Sequence, residues 1–273
     1  MFDSKLILSA FASLFVLPVG ADEGAKAIIE KAITARGGRD ELLKCKAMEL
    51  REIRVSSSDG TSTEVRVRTS VAFPDKFRQE MDFEVFGQKE HCTRILDGKI
   101  GWEIVNGHAF EFKSPELDQL RDIVHANYVA SLISLIRGTE IESTLIGEEV
   151  VGGKAALSIK VSAKGYSDVR LSFDKQSGTL LKSTYRAEQP VDNDVFYADF
   201  KKIGGLLLPM KAEVKQNGKL IQTIRVTDCK ILEKVDNSIF AKPLAYRLQE
   251  KFVIRIARTV NQPRRSTGRA KLL

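Results

Sequence analysis

The residues of this chain best suited to metal ligation or nucleophilic chemistry are three histidines, His91, His108 and His125, and three cysteines, Cys45, Cys92 and Cys229. The histidines are isolated from one another and the cysteines are dispersed. No HxH, HExxH or paired-cysteine spacing brings two of them onto one helix face or into one turn, so a metal site is not expected. No serine sits in the GxSxG frame that lifts a nucleophile onto a strained strand-to-helix turn. No glycine-rich loop of the GxxxxGK[ST] or GxGxxG type is present to cradle a phosphate. The many acidic residues fall mainly on polar sides of strands or at turns, where solvation explains them. The expectation is a protein without catalysis or cofactor.

The cysteines are dispersed and odd in number, which excludes a framework of several disulfides. At most one bridge can form. Otherwise the three act as small apolar residues in the interior.

A sequence pI near 9.2 and a formal charge of +7 would ordinarily point to a polyanionic partner. The charge is not spread over the chain. Of 43 basic and 36 acidic residues, eight and one lie between Leu244 and Leu273, leaving 35 of each sign elsewhere. The body is neutral, so nucleic acid is not the expected partner.

At the other end, Lys5 precedes an apolar run of 14 residues, Leu6 to Val19, followed by small residues at Gly20 and Ala21. The run is shorter than the about 20 residues needed to span a bilayer. It reads as a signal peptide over residues 1–21, cleaved to leave a chain beginning near Asp22, exported and soluble. No cysteine follows the cut, so no lipid anchor is expected there. Residues 22–243 form one domain, and 244–273 a basic tail.

Elements follow from periodicity. Ala25, Ile28, Ile29, Ala32 and Ile33 predict a helix from Asp22 to Arg36, stopped by Gly37 and Gly38, with a second helical turn at 40–44. From Ala47 the period becomes two. Turns at Asp59-Gly60, Pro74-Asp75, Gly87, Asp97-Gly98 and Asn106-Gly107 mark an antiparallel meander. Ser114, Pro115 and Glu116 open a long helix whose stripe runs through Leu117, Leu120, Val124, Tyr128, Leu132 and Leu135 to Gly138. Further strands are predicted near 155–163, 168–174, 179–187, 195–203, 206–216 and 219–233.

These strands alternate apolar with charged residues, so one side of the sheet faces water. A twisted sheet of about ten strands tends to curl. Its apolar side then becomes a concave surface that two helices can only partly fill, or, on the alternative reading, an ordinary core that they complete. Periodicity does not separate these two.

Five phrases, Phe73 to Arg78, Asp97 to Trp102, Phe173 to Gly178, Gly205 to Pro209 and Ile239 to Pro243, resemble in order and spacing the LolA-like proteins of bacterial envelopes, the outer-membrane lipoprotein-sorting family. The resemblance covers residues 22–243. It implies a mainly β fold with helices (α+β): a curved antiparallel sheet or incomplete β-barrel closed by two helices. It further implies a periplasmic protein that binds lipid or lipoprotein acyl chains in a hydrophobic cavity and carries them across the envelope. Burying a ~16-carbon chain at about 0.8 kcal/mol per CH₂ supplies roughly 10 kcal/mol before ordering costs, so such a carrier needs no polar constellation. Strand alternation assigns Val67, Val71, Phe77, Met81, Phe83, Leu171, Phe173, Met210, Val214, Ile224 and Val226 to the cavity. The long helix supplies Val124, Tyr128 and Leu132 as a lid. The family's lipoprotein carriers hold the cavity closed with an Arg directly before the corresponding Pro, where this chain has Phe73.

The same fold serves envelope-stress sensors of the RseB type, which act by protein–protein contact. That reading makes an envelope regulatory protein the partner. In the tail, Leu248, Phe252, Ile256 and Val260 face one side of a helical wheel and Arg247, Lys251, Arg255 and Arg258 the other. The tail is read either as an amphipathic helix at a membrane surface or as a solvated extension without a role.

Overall fold

The structure is a computed structural model that describes residues 21–244, apart from 59–60, 86, 139 and 189–190. The apolar run read as a signal peptide and the amphipathic pattern read in the tail lie outside the described residues. Among those described, no helix is long and apolar enough to cross a membrane.

Helix α1 (Ala21–Arg36) turns Ala25, Ile28, Ile29, Ala32 and Ile33 inward along one face. It ends at Gly37, whose φ of +133° is open to glycine. A Cβ there would collide with the backbone of Gly205, so the missing side chain lets the helix end abut the sheet. Helix α2 (Arg39–Lys44) then buries Leu42.

Six strands follow: β1 (Ala47–Ser58), β2 (Thr61–Ala72), β3 (Lys76–Val85), β4 (Gln88–Asp97), β5 (Ile100–Val105) and β6 (His108–Glu111). Helices α3 (Glu116–Ala130) and α4 (Ser134–Arg137) come next. Seven more strands complete the fold: β7 (Ile141–Val151), β8 (Lys154–Ala163), β9 (Val169–Asp174), β10 (Leu180–Glu188), β11 (Val191–Ile203), β12 (Leu206–Gln216) and β13 (Lys219–Leu232).

All thirteen strands make one antiparallel sheet in the order β6-β5-β4-β3-β2-β1-β13-β12-β11-β10-β9-β8-β7. The first six strands step outward from β1 to the edge at β6. The chain then crosses through α3 and α4 to the far edge at β7 and steps back until β13 pairs with β1. The sheet curves around a cavity but its edges β6 and β7 do not pair, so it is unclosed.

The largest core gathers the apolar face of α1, which approaches the sheet at β7 and β12, and the end of α3. It includes Ile159, Val161, Val169, Leu171 and Phe173 of β8 and β9, each at most 1 % exposed. Burial of each such side chain is worth about 1.5–3 kcal/mol.

Three features depart from the pattern read in the sequence. The long helix stops at Ala130 and resumes as α4, because Leu132 adopts a left-handed φ of +68° and is buried. Pro115 stands just before the first helical residue, not at it. Strand β7 escapes the periodicity because a register shift between Leu145 and Gly147 breaks its pairing, and its outward side carries the exposed apolar residues Ile146 and Val150.

The expectation that one sheet face meets water also needs correction. On the outer side Ala47, Ala72, Ile95 and Trp102 form a second cluster, capped by the fully buried Phe240 from a short 3-10 turn (Asn237–Phe240). Asp236 caps that turn, its side chain accepting from the Ser238 N–H at 2.9 Å. The segment after β13 thus covers the convex face, which strand alternation alone does not reveal.

Candidate binding cavity

The concave faces of β1, β2 and β3 are in register. Met48 lies opposite Val71, and Val71 opposite Phe77; one step along, Leu50, Thr69 and Gln79 form the next row. From the other wall β13 contributes Ile224 and Val226, β12 contributes Leu208, Met210 and Val214, and β11 and β10 contribute Val195, Tyr197 and Tyr185. Helix α3 adds Leu120, Ile123, Val124, Asn127 and Ala130. Together they enclose a cavity of about 740 Å³, a size typical of small-molecule sites.

Polarity changes along the strands. Where α3 crosses beside Phe73 and Phe77, the wall is largely apolar. Farther along β1, Glu52, Arg54 and Ser56 follow Met48 and Leu50 on the same face. Glu52 is buried, and its Oε2 accepts from Arg54 Nε at 3.1 Å, Arg54 Nη2 at 2.6 Å and Thr69 Oγ1 at 3.3 Å. Gln79 Nε2 in turn donates to Thr69 Oγ1 at 3.3 Å. Opposite, Gln216 Nε2 donates to Asn193 Oδ1 and Gln222 Nε2 to Ser56 Oγ, both at 2.9 Å. Burial pushes the Tyr197 phenol up to about 12, although Tyr197 and Ser183 share a hydrogen bond at 2.8 Å.

Arg36, the last residue of α1, reaches the cavity from the helix-covered side. Its Nη1 donates to the Leu207 carbonyl and its Nη2 to the Ala130 carbonyl, both at 2.9 Å, while Nε is buried without a partner. Burial lowers its pKa to about 10, against the weaker influence of Tyr197 and Cys45.

Of the residues assigned to the cavity from sequence, the structure brings together Val71, Phe77, Val124, Met210, Val214, Ile224 and Val226. The others lie elsewhere. Leu171 and Phe173 are fully packed in the core that α1 and α3 share with the sheet. Leu132 is buried in the same core. Tyr128 borders a separate, smaller pocket of about 330 Å³ and stacks on Phe73. Val67 is buried but does not line the cavity, and Met81 and Phe83 are half-buried farther along β3.

Sequence reasoning missed the polar lining, Glu52, Arg54, Thr69, Gln79 and Asn193, because a charged residue in an alternating strand reads as a solvent-facing one. The parity of β1 carried the signal: Glu52 and Arg54 are even-numbered, like Met48 and Leu50.

The three cysteines are free and buried. Cys45 and Cys229 line the cavity, and burial raises each thiol to about 11. Among the described residues, no group of three or more His, Cys, Asp or Glu is placed to hold a metal ion.

No protein-family profile matches this sequence, and no curated protein does. Solved structures do match. A LolA superfamily protein from Nitrosomonas europaea superposes with a TM-score of 0.55 at 13 % identity, over 80 % of this chain and 97 % of that one. A DUF1329 family protein from Desulfovibrio piger gives 0.53 at 12 % identity, over 80 % and 97 %. An outer membrane lipoprotein-sorting protein domain from Vibrio parahaemolyticus gives 0.53 at 9 %, over 82 % and 99 %. At these identities it is the path of the chain that is shared, a curved antiparallel sheet around a cavity, and the fold of this protein is LolA-like.

Proposed function

We propose that this protein is an exported, non-catalytic carrier, periplasmic and soluble after loss of residues 1–21, which holds an acyl chain of a lipid or lipoprotein in its cavity. The observation that carries this reading is the cavity of about 740 Å³ whose end beneath α3 is walled by Met48, Leu50, Val71, Phe77, Leu208 and Met210. Such a wall gains by covering an acyl chain and offers no group to react with it. In this reading α3, with α1 beside it, closes the curved sheet, and the loop at Phe73 is where it opens. The likeness to a lipoprotein-sorting domain supports the choice of cargo.

The test is native mass spectrometry of protein purified from an envelope fraction, followed by solvent extraction. A lipid at near-stoichiometric occupancy is the expected result. Protein that emerges empty and takes up neither added lipids nor lipopeptides would instead favour recognition of a partner protein, as in an envelope-stress sensor.

A further inference from the structure

Six charged side chains line the cavity: Arg36, Glu52, Arg54, Lys76, Arg94 and Lys211. Five are cations and one is an anion. Four of the cations have a carboxylate at hand. Arg54 pairs with Glu52 at 2.6 Å, Arg94 with Glu103 at 2.9 Å and Lys211 with Glu213 at 2.9 Å, and Lys76 pairs with Asp97. Arg36 is different. Among the described residues its hydrogen bonds run only to two backbone carbonyls, and Nε has no partner although the residue is 8 % exposed.

The carbonyl of Ala130 ends α3, where the helix carries a partial negative charge. That contact holds the guanidinium in place but returns only part of the counter-charge. A cation taken out of water without an anion loses several kcal/mol of solvation. The cavity therefore keeps one uncompensated positive charge against its apolar wall, beside Leu42, Leu206 and Leu208. A neutral hydrocarbon would bury that charge further. A chain ending in an anion would satisfy both features of the wall, because a carboxylate or phosphate takes up guanidinium N–H groups in charge-assisted hydrogen bonds.

We propose that the ligand of this cavity is an anionic amphiphile, an alkyl chain bearing one carboxylate or phosphate, and that Arg36 is the residue that meets the charged group. The inference rests on the carrier reading and narrows its cargo. It also gives Arg36 two roles: the carbonyl bonds position it, and its positive charge selects the ligand.

The test is calorimetric titration of the delipidated exported protein with four ligands of one chain length, below their micelle concentrations and at a pH where the acid is ionised. The ligands are hexadecanoate, hexadecyl phosphate, hexadecanol and hexadecylamine. Hexadecanoate or hexadecyl phosphate is expected to bind at least about ten-fold more tightly than the alcohol, with the amine weakest. Whichever anion is tighter identifies the head group. Arg36→Met is expected to bring acid and alcohol to equal affinity, and Arg36→Lys to keep the preference. Should Arg36→Met fail to fold, the wild-type series and Arg36→Lys still decide. Equal binding of all four ligands, tighter binding of the amine, or an anion preference surviving in Arg36→Met overturns the inference while leaving the carrier reading intact. If none of the four binds, the inference falls, and uptake of added lipids or lipopeptides then decides the carrier reading by itself.

Discussion

The rings of Phe73 and Tyr128 stack with centroids 5.5 Å apart and planes inclined by 26°, joining the turn after β2 to the last turn of α3. This contact stands at the side of the cavity that α3 covers. Here the fastening is aromatic, supplemented by the bonds from Arg36 to Ala130 and from Arg137 Nη2 to the Leu43 carbonyl. The aromatic contact itself has no strong directional bond to break, whereas parting α3 from the sheet also breaks the Arg36–Ala130 bond and the bonds from Ser167 to Asp122.

Replacing Phe73 with Ala is therefore expected to loosen α3 selectively. The loss should be about 2 kcal/mol, from stacking and from the area of a half-buried ring. Hydrogen exchange should quicken across Glu116–Ala130 and stay slow in α1, whose closest approaches are to β7 and β12. Unchanged exchange in α3 would show that its remaining contacts, the packing of Leu120 and Val124 and the bonds at Asp122 and Ala130, hold it without Phe73.

The structure separates two residues that alternation treats alike. Phe173 lies in the α1 core at 1 % exposure, whereas Met210 lines the cavity. Phe173→Asp buries an unpaired carboxylate in close packing and is expected to unfold the protein, at a cost on the order of 5 kcal/mol. Met210→Asp places the charge where a cavity can admit water and should leave a folded protein with low lipid occupancy. Circular dichroism and native mass spectrometry together read this out; a folded Phe173→Asp variant with an empty cavity would reverse the assignment.

Acid sensitivity should centre on Glu149, on β7. Burial by itself would raise this carboxyl, but bonds from Lys182 Nζ at 2.7 Å, Ser158 Oγ at 2.6 Å and Ser172 Oγ at 2.5 Å outweigh it and bring the pKa from 4.5 to about 2. A carboxyl depressed on folding stabilises the fold above its unfolded pKa, and the contribution is lost as pH falls through the folded value. Urea unfolding of the wild type should thus weaken between pH 4.5 and 2. Glu149→Gln should be less stable at neutral pH and flatter across that window. Parallel curves for the two proteins would remove Glu149 as the cause.

The thiols provide a footprint of the cavity. Burial raises Cys45, Cys92 and Cys229 alike to about 11, with Glu103 adding to the rise at Cys92, so all three should react slowly with iodoacetamide in the native protein and readily in urea. Cys45 and Cys229 line the cavity and Cys92 does not. Added ligand should slow alkylation at the first two and leave Cys92 unaffected, as mass spectrometry of tryptic peptides would show. Equal protection at all three would mean that ligand stabilises the whole fold without occupying this cavity.

The local rules that could be read along the chain were those whose physics is local. Helical spacing from Ala25 to Ile33, two-residue alternation in β2 and β12, and the turns at Asp97-Gly98, Asn106-Gly107 and Asn217-Gly218 each follow from backbone geometry, and the structure has those elements with small shifts at their ends, while the turn at Asp59-Gly60 lies outside the described residues. The neutral body and basic tail are likewise properties of composition. What the tertiary structure decided was which stretch of one apolar face stays uncovered. Leu171 and Met210 have the same alternation, but the first is packed into the core shared by α1 and α3 and the second lines the cavity. Phe240 fills the convex side only because the chain after β13 doubles back. Parity along β1 puts Glu52 and Arg54 on the face of Met48 and Leu50, but only the curvature of the sheet and the placement of α1 make that face, and Arg36 beside it, the wall of a cavity.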